Sequence, residues 1–159
     1  MFRVIGITFI FFAAATISFA QSGISLLGAQ QDTSLPVEVT ADNLSFDQAA
    51  ESAVFSGNAI ATQGEVTLAA DTLNVMYSQE TGQIVQLVGE GDVQYTNGVE
   101  TASAQTANYD AETRELTLLG SAVLRQRQTM ISANQIIIDT QTNAAQLRGN
   151  VRTRFIPQN

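Results

Sequence analysis

From position 36 onward, apolar and polar residues alternate along most of the chain, which is the period of a half-buried β-strand. The alternation is clearest in the segments Val66-Thr67-Leu68-Ala69-Ala70 and Leu73-Asn74-Val75-Met76-Tyr77. Turn-forming pairs separate these segments, at Gly57-Asn58, Gln63-Gly64, Thr81-Gly82, Asn97-Gly98 and Thr142-Asn143. Helical periodicity is almost absent. The pattern therefore predicts an all-β domain over residues 36–156.

One short unit occurs four times in this domain. Each copy begins with alanine and an acid or amide, at Ala41-Asp42, Ala70-Asp71, Ala104-Gln105 and Ala133-Asn134. A glycine pair follows each, at Gly57-Asn58, Gly91-Asp92, Gly120-Ser121 and Gly149-Asn150. The alanines are 29 residues apart (41 to 70 and 104 to 133) or 34 apart (70 to 104). Repeats of this length are typical of stacked units that bury their apolar faces against one another.

We interpret each copy as a strand, a turn and a returning strand, with the glycine pair leading into the next corner. The second copy is longer, because its alanine and glycine are separated by 21 residues (70 to 91) and those of the other copies by 16 (41 to 57). The extra residues lie around 81–88. They leave the strand register of that copy open.

The first twenty residues have the pattern of an export signal. Arg3 precedes an uninterrupted apolar and small-residue stretch, and Ser18-Phe19-Ala20 places small residues at both positions that a signal peptidase recognises. We predict a signal peptide at residues 1–20, cleaved after Ala20, since the apolar stretch is shorter than the roughly 20 residues that span a bilayer. Residues 21–35 are predicted to form a flexible lead-in. An uncleaved anchor helix is the alternative.

Composition restricts the chemistry that the chain can perform. It has 15 acidic residues against 7 basic ones, a net charge of −8, and no histidine or cysteine. A chain this acidic, without a basic run, is not expected to bind nucleic acid. Cysteine-based zinc sites, thiolate catalysis and the usual general base at neutral pH are excluded. We therefore expect a non-enzymatic protein with no cofactor and no metal.

The segment from Phe55 to Gly64, FSGNAIATQG, followed by Val66-Thr67-Leu68-Ala69-Ala70-Asp71, resembles the OstA-type repeat of the LptA/OstA family. The resemblance extends from about Val37 to Phe155. It implies a curved, half-open jelly roll of antiparallel strands whose apolar interior holds the acyl chains of lipopolysaccharide. It also implies a periplasmic bridge that receives lipopolysaccharide from the inner-membrane LptC protein and passes it to the outer-membrane LptD protein.

Such a bridge needs a continuous apolar trough, because exposing each CH₂ group of an acyl chain to water costs about 0.8 kcal/mol. The strand alternation supplies one candidate inner face. We assign to this lipid-binding face Leu44, Phe46, Phe55, Val66, Leu68, Leu73, Val75, Tyr77, Val93, Tyr95, Tyr109, Leu116, Leu118, Ile136, Ile138, Leu147, Val151 and Phe155. A dry core is the plainer interpretation of each. The repeat glycines would leave room along one edge.

The first and last strands are expected to remain open to other chains. Lysine is absent, and the only prolines after the signal are Pro36 and Pro157, so neither guards an interior strand. We predict β-augmentation at both ends, by copies of the chain or by partner domains, unless the tails cover them. The arginines beyond Arg3 all follow residue 113, and most of the acids precede residue 111. This polarity favours head-to-tail stacking and suits arginine contacts with lipid phosphates, and a solvated face of uneven charge is the plainer interpretation.

Three other hypotheses remain open at this point. A parallel β-helix acting on polysaccharide would need paired carboxylates, and Asp42, Asp71, Asp110 and Asp139 are the candidates, although we interpret them as turn and corner residues. A membrane-anchored, LptC-like member of the same superfamily would keep its amino-terminal helix. An envelope scaffold would polymerise without carrying lipid.

Overall fold

The structure, a computed structural model, describes residues 35–155, which form strands and no helix. The strands are β1 (Glu38–Thr40), β2 (Asn43–Asp47), β3 (Ser52–Gln63), β4 (Val66–Tyr77), β5 (Ile84–Thr96), β6 (Glu100–Asp110), β7 (Glu115–Gln126), β8 (Thr129–Asp139), β9 (Ala144–Arg148) and β10 (Arg152–Phe155). The all-β prediction is confirmed. Within this range no helix is long and apolar enough to cross a membrane. The predicted signal peptide, and the lead-in before Leu35, lie outside the described residues.

All ten strands belong to one antiparallel sheet. The long strands β3 to β8 pair in chain order, each with the next. The two edges are completed by short strands, because β1 and β2 pair with successive parts of β3, and β9 and β10 pair with successive parts of β8. The antiparallel pairing excludes the parallel β-helix that the repeats had left open.

A line of β-bulges crosses the sheet and divides it into two halves. The cross-strand register shifts at each bulge, for example between Ser56 and Ala59 in β3 and between Leu119 and Ala122 in β7. Bulges bend the strand and increase its twist. The Gly-X pairs therefore lie inside β3, β5 and β7, and the expectation that Gly57-Asn58 is a turn between strands is wrong.

The bend gives each long strand a part in two layers. We call layer 1 the strand halves that meet at the hairpins 63–66, 96–100 and 126–129, and layer 2 the halves that meet at 47–52, 77–84, 110–115 and 139–144. Side chains from both layers line one cavity, including Leu68 of layer 1 and Leu116 of layer 2. The sheet is thus a half-open jelly roll.

Acid and amide side chains fill the space beside the repeat glycines. A Cβ atom on Gly57, Gly91, Gly120 or Gly149 would meet the side chain of, respectively, Asp42, Asp71, Gln105 or Asn134. Backbone hydrogen bonds accompany two of these contacts, from Asp42 N to Gly57 O and from Asn134 N to Gly149 O, both at 2.8 Å. The expectation that these glycines leave room along one edge is therefore wrong, since the room is occupied.

Three aspartates close hairpins at the far end of layer 2. Oδ1 of Asp47, Asp110 and Asp139 accepts the backbone N–H groups two and three residues further on, at 2.8–3.0 Å. This is the Asx-turn geometry that makes aspartate favourable in turns. Asp42 and Asp71 instead lie on the bulge line. The four candidate carboxylates of the enzyme hypothesis are therefore divided between different parts of the sheet.

The apolar core lies between the layers. In layer 2, Leu73, Leu118 and Ile136 belong to one cross-strand row and are fully buried. Along the bulge line the buried residues are small, including Ala59, Ala70, Ala122 and Ala133. Small side chains allow the two layers to approach each other where the sheet bends.

Candidate functional site: an apolar trough between the two layers

The structure divides the predicted inner face into three groups by exposure. The buried members are Leu68, Leu73, Val75, Val93, Tyr95, Leu116, Leu118, Ile136 and Ile138. The partly buried members are Phe55, Val66, Tyr77, Tyr109 and Leu147. The exposed members are Leu44, Phe46, Val151 and Phe155. Most of the exposed group lies in the short edge strands, where the sheet offers a neighbour on one side only.

A cavity of about 640 Å³ opens between the layers. Apolar side chains of both layers form its walls, with Leu68 and Tyr95 from layer 1 and Leu87, Tyr109 and Leu116 from layer 2. Cavities of roughly 300–1,000 Å³ with mainly apolar walls are the usual size for bound small molecules. The structure thus brings part of the predicted face together as a trough, and places Leu73, Leu118, Ile136 and Ile138 in the packed core beside it.

Polar groups also line this trough, and of these Arg114 is exposed whereas Thr140 is buried. Arg114 and Thr140 line it on the layer 2 side, and the Thr140 N–H donates to the Arg114 carbonyl at 2.9 Å. On the layer 1 side, Gln63 Nε2 donates to the Leu35 carbonyl at 2.8 Å, and Leu35 itself lines the cavity. A mainly apolar lining with a few polar groups suits a ligand with an apolar body and a polar head.

A second polar group lies at the layer 1 end of the inner face. Glu100, at the start of β6, and Asn97, in the β5–β6 turn, are 1% and 3% exposed. Gln126 Nε2, from β7, donates to Glu100 Oε1, and Glu100 N donates to Asn97 Oδ1 at 2.9 Å. Burial raises the pKa of Glu100 to about 7, and the hydrogen bond from Gln126 and then the nearby Asn97 amide oppose that rise.

Tyr95 connects this polar group with the cavity. Its ring lines the trough, and burial raises the pKa of its hydroxyl to about 12, with the Glu100 carboxyl and then Tyr109 adding to the rise. The phenol therefore lies close enough to Glu100 to feel its charge.

Some residues of the cavity wall and of the core beside it were not predicted from the sequence. Leu87 and Leu124 are buried, and Leu87 lines the cavity. Leu124 has the same parity as Leu116 and Leu118, so continuing the alternation through the Gly120-Ser121 bulge would have found it. Leu87 belongs to the longer second copy, where the register shifts again between Met76 and Tyr77. Glu100 could have been recognised because it lies two positions before the buried Ala102, and therefore on the same face of the strand.

The fold and trough define a class of proteins, the antiparallel jelly rolls with an apolar cavity between two layers. The sequence model of the family described as LptA/(LptD N-terminal domain) LPS transport protein matches residues 38–144. The chain therefore belongs to this family of lipopolysaccharide transport proteins, as its repeats predicted.

The chain is also similar to individual proteins over most of its length. The chain is 26% identical over 147 residues to the lipopolysaccharide export system protein LptA of Haemophilus influenzae, which covers 88% of this chain and 84% of that protein. It is 24% identical over 158 residues to an uncharacterised protein of Rhizobium meliloti, covering 91% of this chain and 84% of that protein.

A solved structure confirms the fold. The crystal structure of Pseudomonas aeruginosa LptH, described as the LptA-homologous periplasmic component of the lipopolysaccharide transport device, superposes with a TM-score of 0.71 at 20% identity. The match covers 80% of this chain and 99% of that structure. The predicted half-open jelly roll is therefore confirmed.

Proposed function

We propose that the chain is a periplasmic carrier that holds the acyl chains of lipopolysaccharide between its two layers and moves it from the inner to the outer membrane. The observation that supports this most strongly is the apolar cavity between the layers, in a chain of a lipopolysaccharide transport family. In this proposal residues 1–20 direct export and are removed after Ala20, residues 21–35 are the lead-in, and residues 36–156 form the carrier domain. No catalytic step is involved.

Binding in the trough removes an acyl chain from contact with water. Each buried CH₂ is stabilised by about 0.8 kcal/mol, so several methylene groups held between the layers give useful affinity without any specific polar contact. Leu68, Leu87 and Leu116 supply this surface. We assign the headgroup to Arg114, which lines the cavity, is exposed to solvent and can pair with a phosphate.

The two edges of the sheet are the proposed partner sites. The first edge, β1 and β2, carries the exposed apolar residues Leu44 and Phe46, and the last edge, β9 and β10, is flanked by Val151 and ends in Phe155. An edge strand with free backbone groups and exposed apolar side chains is suited to pairing with another strand. We propose that the LptC protein and the amino-terminal domain of the LptD protein bind at these edges, and that copies of the chain stack between them.

The internal repeat predicts the strand register at a joint between copies, where the last edge of one molecule pairs with the first edge of the next. In β3–β4, β5–β6 and β7–β8, the residue two positions after the glycine pairs with the alanine of the next copy, as Ala59 does with Ala70, Val93 with Ala104, and Ala122 with Ala133. The residue before the glycine pairs with the second residue after that alanine, as Ser56 does with Thr72. The same rule applied to Gly149 pairs Val151 with Ala41 of the next molecule.

This register gives the joint complementary side chains on both faces. On the inner face it pairs Leu147 with Leu44, and Ala145 with Phe46, of the next molecule. On the outer face it pairs Arg154 with Glu38. Leu44 and Phe46 are about 60% exposed in the single chain, at 59% and 61%, so pairing would cover apolar surface that is otherwise in water. Stacked copies would then extend the trough across the joint.

Two neighbouring pairs of residues test the lipid site. A photo-crosslinking amino acid at Leu68 or Leu116 faces the cavity, whereas the adjacent Thr67 or Thr117 lies on the opposite face of the same strand. We expect lipopolysaccharide to be captured in cells at the two leucine positions and not at the two threonine positions. Ile138, which is fully buried, extends the test to the packed core. Capture at none of these sites, in protein that is folded, would favour the envelope scaffold.

The membrane-anchored alternative is tested separately. An LptC-like member would retain residues 1–20, so its mass would exceed that of a chain starting at Gln21. We expect protein from the periplasm to start at Gln21.

A further inference from the structure

Glu100 is a buried carboxyl group that the carrier mechanism has not used. Its side chain is 1% exposed, and Oε2 has no hydrogen-bond partner among the described residues. In the neighbouring turn, the Asn97 Nδ2 group is also buried without a partner. An unpaired polar atom out of contact with water destabilises the fold, and does so more when it is charged. A carboxyl group in this position is more easily accommodated neutral than ionised.

The position of Glu100 connects it to the trough. Glu100 lies two positions before Ala102, on the same inner face of β6, and Ala102 pairs with Tyr95. Tyr95 lines the cavity, and its hydroxyl feels the Glu100 charge. Because Tyr95 lines the cavity and interacts with Glu100, we expect a ligand that displaces water from the cavity also to remove polar surroundings from Glu100.

We propose that acyl-chain binding in the trough is coupled to proton uptake by Glu100, so that the protein binds apolar ligands more tightly at acidic than at alkaline pH. This inference rests on the proposed function, because it assumes that the cavity between the layers is where acyl chains bind.

The direction of this pH dependence follows from the solvation of the Glu100 carboxyl group. Replacing water in the cavity by hydrocarbon disfavours the ionised carboxylate and leaves the neutral carboxyl almost unaffected. The pKa of Glu100, already about 7, therefore rises further in the complex. By linkage, a ligand that raises a pKa binds more tightly below that pKa. A rise of one unit would change the affinity by about tenfold between the acidic and alkaline limits.

Few other groups near Glu100 can titrate in this range. The residues that face it are Tyr95 and Asn97 on the β5 side and Gln126 on β7, and Tyr109 on β6 interacts with Tyr95. The exposed Glu65 carboxylate, in the β3–β4 hairpin, lies against Gly98 of the same turn, which is why Glu65 is the control in the test below. Arg114 lines the same cavity. Amides do not titrate, arginine stays charged, and the pKa of Tyr95 lies near 12. The chain has no histidine, the side chain that normally titrates near pH 7.

The test measures how the affinity for an apolar fluorescent dye, N-phenyl-1-naphthylamine, changes between pH 5.5 and 8.5. The variants are Glu100→Gln, a permanently neutral mimic, and Glu65→Gln, a control at an exposed carboxylate in the adjacent β3–β4 hairpin. We expect several-fold weaker binding by the unmodified chain at pH 8.5 than at pH 5.5. Glu100→Gln should keep the acidic-limit affinity throughout, and Glu65→Gln should follow the unmodified chain.

Each outcome decides the matter. Dye binding with no pH slope, or with a slope that Glu100→Gln retains, would overturn the coupling and leave the trough intact. No dye binding at any pH would overturn both the coupling and the trough. Calorimetric titration of the unmodified protein at pH 7, in two buffers with different ionisation enthalpies, gives proton uptake without any variant. We expect a fraction of a proton taken up per dye molecule, and zero uptake would contradict the proposal.

Discussion

The side chain of Asp42 occupies the space that a Cβ atom on Gly57 would need, with its Oδ2 only 2.6 Å from that position. The same carboxylate accepts a hydrogen bond from Asn58 Nδ2 at 2.8 Å, and the Asp42 N–H donates to the Gly57 carbonyl. The alanine-acid pair and the glycine pair that define the repeat thus meet in space. They fix the bulge that bends the sheet into two layers.

Gly57→Ala should destabilise the domain by about 1–3 kcal/mol, because it adds a clash with Asp42 to a strained backbone conformation. Gly57 has φ = 79°. Gly82→Ala is the matched control, since Gly82 also has a positive φ (67°) but nothing lies within 4 Å of its Cβ position. Denaturant unfolding measures both. Equal losses for the two variants would show that the contact with Asp42 has no energetic role.

Removing the Asp139 side chain from its turn should lower the unfolding free energy by a smaller amount, and that amount should depend on pH. The backbone N–H of Thr142, followed by that of Gln141, holds the pKa of Asp139 below its ordinary value. A lowered pKa stabilises the fold at neutral pH, and that stability is lost as the pH falls through the folded value. Asp139→Ala should cost about 1 kcal/mol at pH 7, comparable with the loss of a helix cap, and less near pH 3. Urea unfolding at both pH values tests this, with the exposed Glu80→Ala as control.

The buried Glu100 predicts a pH dependence of stability opposite to that of Asp139. Its pKa is raised from 4.5 to about 7, so its stabilising contribution is complete below pH 4.5 and is lost as the pH rises through 7. The unfolding free energy should therefore fall between pH 5 and pH 8 by an amount on the order of 2–3 kcal/mol. Glu100→Gln should remove most of that fall, and Glu65→Gln should not. A fall that persists in Glu100→Gln would assign it to another group.

The proposed joint between copies predicts one specific crosslink. The chain has no cysteine, so a pair of introduced cysteines reacts without background. Glu38→Cys with Arg154→Cys should form a ladder of disulfide-linked oligomers on oxidation, because the repeat register places these residues opposite each other. Glu38→Cys with Arg152→Cys is two positions out of register on the same face and should form little. A stronger ladder for the second pair would reject the register.

Much of the fold was predictable because the sequence repeats itself. Strand alternation identified the buried face at Leu68, Leu73 and Ile138, and turn-forming pairs located hairpins such as Asn97-Gly98. The role of Gly57 was not predictable, since a glycine pair inside a bulge and one in a hairpin have the same local sequence. The distinction depends on Asp42, which is distant in sequence.

The candidate site was predictable only in part. Alternation reports which face a residue occupies, but not how closely the two layers approach. It therefore could not separate Leu116, which lines the cavity, from Leu118, which lies in the packed core. Glu100 was overlooked because an acid on a strand is ordinarily taken as solvent-facing.

Filling the trough tests the central claim most directly. Ala61 is buried and lines the cavity, and Thr117 lies on the opposite face of the sheet. Equilibrium binding of lipopolysaccharide would be measured for the exported chain, for Ala61→Trp and for Thr117→Trp, with circular dichroism to confirm that each is folded. We predict that Ala61→Trp binds at least about tenfold more weakly, since the indole displaces acyl groups worth about 0.8 kcal/mol per CH₂. Binding by folded Ala61→Trp that equals that of the unmodified chain would contradict the claim that lipopolysaccharide is held between the two layers.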